Sequence, residues 1–329
     1  MISRICFSLL ISVGFVSIAA SQPADPDQST ARSASEREIR SGELGGLLLE
    51  ASDNAPAILI VPGSGPTDRD GNNPMGVVAS TYKLLVEDLA QAGVTSLRVD
   101  KRGMFSSAAA GDPNQVTQEI YAQDYLDWAE TLRAETGQDC VFLLGHSEGG
   151  QMVSAAAAQD KTGICGLILV SAPGRPVFDV LRDQLKANPA NAPILDQAMK
   201  AIDQLEAGEN VKVRRLHPAL QGLFAPQVQD FMISSYGVDP QSLVKQARLP
   251  TLVLQGDRDI QVSLADAERL SQPDNARAVI LSQVNHVLKV SPDDPAGNMA
   301  TYADPDLPLA DSVVTAIVDF IAEVQSTNP

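Results

Sequence analysis

The chain has 329 residues, of which 44% are hydrophobic and 20% charged, as in soluble globular proteins with a sizeable core. This composition excludes a disordered chain, a collagen-like chain and a polytopic membrane protein. The net charge is -17, from 24 Lys and Arg against 41 Asp and Glu. So acidic a surface repels phosphate backbones and anionic lipids, which disfavours nucleic-acid binding.

The N-terminus has the pattern of a signal peptide. Basic Arg4 precedes an apolar run over residues 5–20, which ends in small residues up to Ser21. We therefore predict a signal peptide over residues 1–21, a flexible polar leader over 22–38, and export to the periplasm or medium without later membrane contact. The alternative is an uncleaved anchor, although the run is shorter than the roughly 20 residues of a spanning helix.

Predicted strands and helices alternate along the rest of the chain. The strands are apolar runs at 57–61, 94–99, 141–144, 167–170, 251–254 and 278–281. Helical spacing follows most of them, at 82–89, 121–132, 153–158, 264–270 and 313–324. Such alternation predicts an α/β fold, with a mainly parallel sheet covered by helices on both faces.

One segment interrupts the alternation. Residues 176–248 show helical spacing, as at Phe178, Leu181 and Leu185, and no convincing strand. We interpret this segment as a helical cap over the C-terminal edge of the sheet, inserted into a core formed by residues 39–175 and 249–329.

The sequence Gly145-His146-Ser147-Glu148-Gly149-Gly150 lies between a predicted strand and a predicted helix. A Gly-x-Ser-x-Gly motif in that context is typical of a nucleophile elbow. The tight turn needs glycines beside the serine, and it places the serine at a helix N-terminus, where developing negative charge is favoured. The alternative is an ordinary turn with an exposed serine.

A nucleophilic serine needs a general base, and the chain has 3 His. His146 adjoins Ser147 and should point elsewhere, in a structural role. His217 lies in the predicted cap, where a surface or capping role is expected. His286 follows the strand at 278–281, at the edge where Ser147 is expected, so we predict that His286 is the base.

The base needs an acid that holds its tautomer. Asp257 and Asp259 both follow the strand at 251–254, so either carboxylate could fill that role. Asp257 could instead pair with Arg258, and we favour Asp259. The resulting order of Ser, Asp and His is that of α/β-hydrolases.

An oxyanion hole needs two N–H donors. We predict the backbone N–H of Glu148 and that of Ser64, with Gly63 as the alternative to Ser64. A phosphate-binding loop is disfavoured because no Gly-Lys-Ser/Thr follows. Asp68, Asp70 and Asn72 hint at a calcium loop, but its sixth-position Gly and twelfth-position Glu are missing.

Five motifs now support a resemblance to a known family: residues 63–72, 100–103, 145–150, 255–262 and 285–289. The chain resembles exported bacterial α/β-hydrolases described as serine-aminopeptidase-like esterases. The resemblance covers about residues 40–325. It implies a serine ester hydrolase with a helical cap and with Asp259 as the acid. We expect Asp100 and Arg102 to tie their loop beside the oxyanion loop.

The leading hypothesis is therefore a serine hydrolase of small acyl esters that needs no metal or cofactor and acts through an acyl-enzyme. A peptidase with the same triad is the second hypothesis, for which Glu148, Asp68 or Asp70 would bind an α-amino group. A non-catalytic binding protein is a third. Dehalogenase and epoxide hydrolase chemistry is disfavoured because both need a carboxylate at position 147.

Cys140 and Cys165 are the two cysteines that remain after removal of the signal peptide. They immediately precede two strands that should be parallel neighbours about 5 Å apart. That separation suits a disulfide, and an exported protein meets an oxidising compartment. We predict a disulfide at the edge opposite Ser147; the alternative is two buried free cysteines.

Overall fold

The computed structural model describes residues 36–327. The predicted signal peptide and most of the predicted leader lie outside the described residues. The strands are β1 (Glu36–Ser41), β2 (Leu44–Leu49), β3 (Ala57–Val61), β4 (Asn72–Asn73), β5 (Val77–Val78), β6 (Thr95–Val99), β7 (Val141–His146), β8 (Ile164–Val170), β9 (Thr251–Gly256) and β10 (Ala276–Leu281).

Eight of these strands form one sheet in the order β1-β2-β6-β3-β7-β8-β9-β10. Pairing is parallel from β6 to β10, while β2 runs antiparallel to both β1 and β6. The mainly parallel sheet confirms the predicted fold class. The predicted end of the leader at residue 38 is wrong, because Glu36–Ser41 already pairs as the edge strand β1.

The helices are α1 (Thr81–Gln91), α2 (Gln118–Thr136), α3 (Glu148–Gln159), α4 (Val177–Ala187), α5 (Leu195–Glu206), α6 (Pro218–Gln221), α7 (Pro226–Ser235), α8 (Pro240–Ala247), α9 (Leu264–Leu270), α10 (Pro295–Ala300) and α11 (Asp311–Thr327). Alternate side chains of the central strands point to opposite faces of the sheet. In β3, Leu59 packs with α2 and α3, while Ile58 and Ile60 pack with α1 and α11. Both faces of the sheet are therefore buried.

The segment between β8 and β9 contains α4 to α8 among its helices. Phe178, Ile202, Leu205 and Phe224 form part of a separate hydrophobic cluster within it. This segment therefore has a small core of its own. Across residues 36–327, no helix combines the length and apolarity needed to cross a bilayer.

Cys140 and Cys165 form a disulfide with a Cα–Cα distance of 5.2 Å, as predicted. β7 and β8 are parallel neighbours, and their register shifts between Val141 and Phe142. Cys165 lies inside β8 rather than just before it, because β8 begins at Ile164. The bond joins the N-terminal ends of the two strands.

Candidate active site

Ser147 sits in the sharp turn between β7 and α3. Its backbone has φ 55° and ψ -126°, a strained conformation for a residue with a side chain. A side chain at Gly145 would collide with the backbone of Gly149. A Cβ on Gly149 would lie 2.5 Å from the Val61 carbonyl oxygen. The two glycines therefore allow the turn, and α3 begins at Glu148, directly after the serine.

Asp259 and His286 meet above the ends of β9 and β10. His286 Nδ1 lies 2.8 Å from Asp259 Oδ2. The other carboxylate oxygen accepts the backbone N–H groups of Gln261 (2.7 Å) and Val262 (3.0 Å). Burial opposes ionisation of Asp259, but His286 and these donors outweigh it and lower the pKa of Asp259 to about 2. The Asp259 carboxylate is thus an anion in contact with the His286 imidazole.

Asp257, the alternative acid, binds other groups. Its carboxylate accepts the backbone N–H of Gln283 at 2.6 Å and lies 3.8 Å from Arg258 Nε. Asp257 therefore braces the turn after β10.

The loop that carries His286 is fixed by a buried amide. Asn285 Nδ2 donates to Asn298 Oδ1 (3.0 Å) and to Thr301 Oγ1 (2.6 Å). Its Oδ1 accepts the backbone N–H of Lys289 at 3.2 Å. Asn285 thereby anchors the backbone next to the imidazole.

Ser147, His286 and Gly63 line one small cavity of about 120 Å³. The structure thus brings the sequence-predicted serine and histidine to the same space. Ser64 lines this cavity as well as a larger neighbouring one. A Cβ on Gly63 would lie 3.2 Å from Ser147 Cβ, so the loop after β3 packs directly against the serine.

His146 belongs to a hydrogen-bonded chain behind this cavity. Its Nε2 lies 2.8 Å from the carbonyl oxygen of His286, and its Nδ1 lies 2.8 Å from the Tyr82 hydroxyl. Burial lowers the pKa of His146 to about 3, so the ring is neutral. A carbonyl only accepts, so Nε2 carries the proton and Nδ1 accepts from Tyr82.

Tyr82 continues that chain to the loop after β3. Its hydroxyl oxygen accepts the backbone N–H of Gly63 at 3.0 Å, which leaves Ser64 as the oxyanion candidate in this loop. The chain joins the serine turn, the histidine loop and the β3 loop. The sequence predicts only that Tyr82 lies on the apolar face of the helix at 82–89. The signal that could identify its role is that a buried tyrosine hydroxyl needs a hydrogen-bond partner.

The remaining sequence candidates have structural contacts. The Asp68 carboxylate accepts the backbone N–H groups of Asp70 and Asn72 at 2.9 and 2.8 Å, and Asp70 pairs with Arg98. His217 caps α6 by accepting the N–H of Ala219. Within residues 36–327, no group of three or more His, Cys, Asp or Glu could hold a metal ion.

The larger cavity encloses about 640 Å³ between the sheet edge and helices α4 and α7. Its apolar wall includes Val177, Val180, Leu181, Leu223, Phe231 and Met232. Glu148 lies beside Ser147 in this wall, and the Tyr236 hydroxyl is 3.4 Å from its carboxylate. Burial raises the pKa of Glu148. The cavity is therefore mainly apolar, with one acidic group near the serine.

Comparison with known proteins agrees with this architecture. A family model described as "Serine aminopeptidase, S33" matches residues 75–220, a stretch that includes Ser147 and ends before Asp259. The chain is 28% identical over 273 residues to Esterase EstD of Thermotoga maritima, across 80% of this chain. It spans 62% of the length of that relative.

Two solved structures show the same fold. Est1E from Butyrivibrio proteoclasticus, described with bound ferulic acid, has a TM-score of 0.54 at 18% identity. The match covers 88% of this chain and 99% of the Est1E chain. The α/β-hydrolase GrgF from Penicillium sp. sh18 has a TM-score of 0.56 at 19% identity, covering 89% and 99%. The chain therefore has the α/β-hydrolase fold. Its resemblance to serine-aminopeptidase-like esterases is confirmed.

Proposed function

We propose that this protein is a serine hydrolase of carboxyl esters in which Ser147, His286 and Asp259 form a catalytic triad. The observation that carries the proposal is the 2.8 Å contact between Asp259 and His286, at a cavity that His286 shares with Ser147. Similarity to a protein named an esterase supports the ester substrate.

The reaction proceeds through an acyl-enzyme. Ser147 Oγ attacks the ester carbonyl carbon, and its proton passes to His286 Nε2. Collapse of the tetrahedral intermediate breaks the bond to the alcohol, which leaves with that proton. Water then gives a proton to His286 and attacks the acyl carbon, and the acid departs as Ser147 regains its proton. Asp259 holds the imidazole and stabilises its charged form.

The negative charge of each tetrahedral intermediate falls on the former carbonyl oxygen. The backbone N–H groups of Ser64 and Glu148 are the donors we propose for it. Glu148 is the first residue of α3, where N–H groups lack partners inside the helix. Ser64 shares both cavities with Ser147.

Replacement of the nucleophile tests the proposal. Ser147→Ala should lower kcat for p-nitrophenyl butyrate by about 10⁶-fold and abolish labelling by a fluorophosphonate. Ser154→Ala is the matched control: this buried serine of α3 donates to the Gly150 carbonyl and should keep both activities. Circular dichroism checks the fold. Undiminished labelling of Ser147→Ala would refute the proposal.

We propose small acyl esters as the substrate class. A cavity of about 640 Å³ lies within the range of small-molecule sites, and aromatic residues make up only 4% of the chain. Among p-nitrophenyl esters, kcat/KM should be higher for acetyl and butyryl than for palmitoyl groups. A maximum at palmitoyl would contradict this preference.

A peptidase is the second candidate because Glu148 places a carboxyl group in the cavity beside Ser147. Asp68 and Asp70 are less suitable, since both are engaged by their own loop and Arg98. Leucine p-nitroanilide would then be cleaved faster than p-nitrophenyl butyrate. Glu148→Gln would also lower amide cleavage more than ester cleavage. Neither result is expected for an esterase.

We also propose export. The disulfide supports an oxidising compartment, and the predicted signal peptide over residues 1–21 would direct the chain there. Expression in a bacterial host followed by fractionation should place the full chain outside the cytoplasm and a chain lacking residues 1–21 inside it. Equal cytoplasmic retention of both would contradict export.

A further inference from the structure

The loop after β6 contains a buried lysine that the proposed reaction does not use. Lys101 is only 4% exposed. Its ammonium donates to the backbone carbonyl of Gly63 at 2.7 Å and to that of Gly65. Burial lowers the pKa of Lys101, with Glu148 acting in the opposite sense. An ammonium buried on backbone carbonyls is costly, so its placement needs an explanation.

The geometry of the peptide group between Gly63 and Ser64 explains the placement of Lys101. The carbonyl of Gly63 and the N–H of Ser64 belong to the same peptide, which is trans. In a trans peptide the two groups point in opposite directions. The carbonyl is held towards Lys101, so the N–H of Ser64 points away from Lys101.

The neighbouring contacts fix the loop from its other side. The N–H of Gly63 donates to the Tyr82 hydroxyl at 3.0 Å, and the Cα of Gly63 packs towards Ser147. If the peptide between Gly63 and Ser64 rotated by half a turn, its carbonyl would replace the N–H as the group beside the reacting centre. An oxygen there would repel an oxyanion.

We propose that Lys101 is a positioning residue for the oxyanion hole, holding the Gly63 carbonyl so that the Ser64 N–H faces the reacting oxygen. The inference rests on the proposed hydrolase function. An ammonium on the carbonyl oxygen also polarises the peptide, which makes its N–H a stronger donor. Asp100 ties this loop to the oxyanion loop as expected, by accepting the backbone N–H of Arg69. Arg102 does not, since it binds Asp124 and Ala110, and the contact with the Gly63 peptide itself comes from Lys101.

Asp100 and Arg102, the neighbours of Lys101, make contacts away from the Gly63 peptide. The Asp100 carboxylate accepts from the Arg69 N–H at 3.0 Å and from Ser106 Oγ at 2.6 Å. Arg102 pairs with Asp124 and donates to the Ala110 carbonyl at 2.6 Å. Arg102 is therefore a matched control: a basic residue of the same loop that binds α2 and leaves the Gly63 peptide alone.

The test compares Lys101→Met with Arg102→Met in the mature protein. Loss of one oxyanion donor typically lowers kcat by about 10²–10³-fold. For Lys101→Met we expect a loss of that order for p-nitrophenyl butyrate, with KM nearly unchanged. Affinity for a trifluoromethyl ketone, whose serine adduct carries an oxyanion, should fall by a similar factor. Arg102→Met should lose thermal stability while keeping kcat and ketone affinity.

A second variant covers the case in which Lys101→Met does not fold. Lys101→Gln keeps one N–H donor for a carbonyl and should show a smaller loss of kcat and ketone affinity, again without a matching change in KM. The proposal is overturned if folded Lys101 variants keep wild-type kcat and ketone affinity. It is also overturned if those two quantities fall equally in the Lys101 variants and in Arg102→Met. A wild-type protein without esterase activity or fluorophosphonate labelling would overturn the proposed function and this inference together.

Discussion

The two edges of the sheet differ in what their residues do. At the C-terminal edge, β7, β9 and β10 lead into Ser147, Asp259 and His286, with a strained backbone at the serine and buried polar groups around it. At the N-terminal edge, β7 and β8 are joined by the bond between Cys140 and Cys165. The same strand, β7, therefore ends in the strained turn at Ser147 and begins at a covalent link. Substitutions at the two edges should separate activity from stability.

After replacement of Ser147 itself, the largest effect is expected from Asp259 at the C-terminal edge. Asp259→Asn should lower kcat by about 10⁴-fold, because an amide in place of the carboxylate favours the wrong imidazole tautomer. Rates with p-nitrophenyl butyrate measure this loss.

Asp257→Asn is the matched control, two residues away in the same turn. Its carboxylate binds the Gln283 N–H rather than His286, so most of the activity should remain. If Asp257→Asn were the more damaging change, the acid would have to be reassigned.

At the N-terminal edge the expected effect is on stability. The bond closes a loop with a sequence separation of 25, for which loop-closure entropy predicts about 3.5 kcal/mol of stabilisation. Cys140→Ala combined with Cys165→Ala should lower the free energy of unfolding in urea by that amount. At a temperature where the variant is folded, kcat should match that of the wild type.

The control for this pair is the wild-type protein with its disulfide reduced, which should unfold at the same urea concentration as the double variant. A large fall in kcat without unfolding would show that the two edges are coupled through β7. Substitutions at the two edges would then not separate activity from stability.

Sequence patterns predicted the residues that stand in short motifs. The elbow glycines and Ser147 could be recognised because the turn tolerates few alternatives, and His286 because it follows a predicted strand. The edge strand β1 was missed, since Glu36, Arg37 and Glu38 are exposed and give no apolar run. The strands β2, β4 and β5 and the helix α10 were not predicted either. The bounds of the predicted elements differed by a few residues, as at Cys165.

The supporting contacts could not be predicted in the same way. Tyr82 and Lys101 lie far along the chain from Gly63 but bind its N–H and its carbonyl. Each contact depends on the path of an irregular loop, which hydrophobic spacing does not encode. The helix face correctly predicted that Tyr82 is buried, but it carried no information about the partner of the hydroxyl.

The smallest expected effect concerns pH and again distinguishes the edges. His146 is buried and neutral, with a pKa of about 3 in the folded protein against about 6.5 unfolded. Between these values the unfolded chain binds one more proton, so the free energy of unfolding falls as the pH falls. One pH unit corresponds to about 1.4 kcal/mol, so about 2 kcal/mol should be lost between pH 6.5 and pH 5. Asp259 contributes little in this window, because both its folded and its unfolded pKa lie below it.

Urea unfolding at the two pH values measures this loss. His146→Gln cannot gain the proton, so its stability should fall by about 2 kcal/mol less over the same interval, even if the variant is less stable throughout. The double cysteine variant should keep the wild-type dependence, because Cys140 and Cys165 lie at the opposite edge from His146. Equal acid sensitivity of His146→Gln and the wild type would show that another group governs this loss. The acid sensitivity of the C-terminal edge would then not come from the hydrogen-bonded chain of His146 and Tyr82.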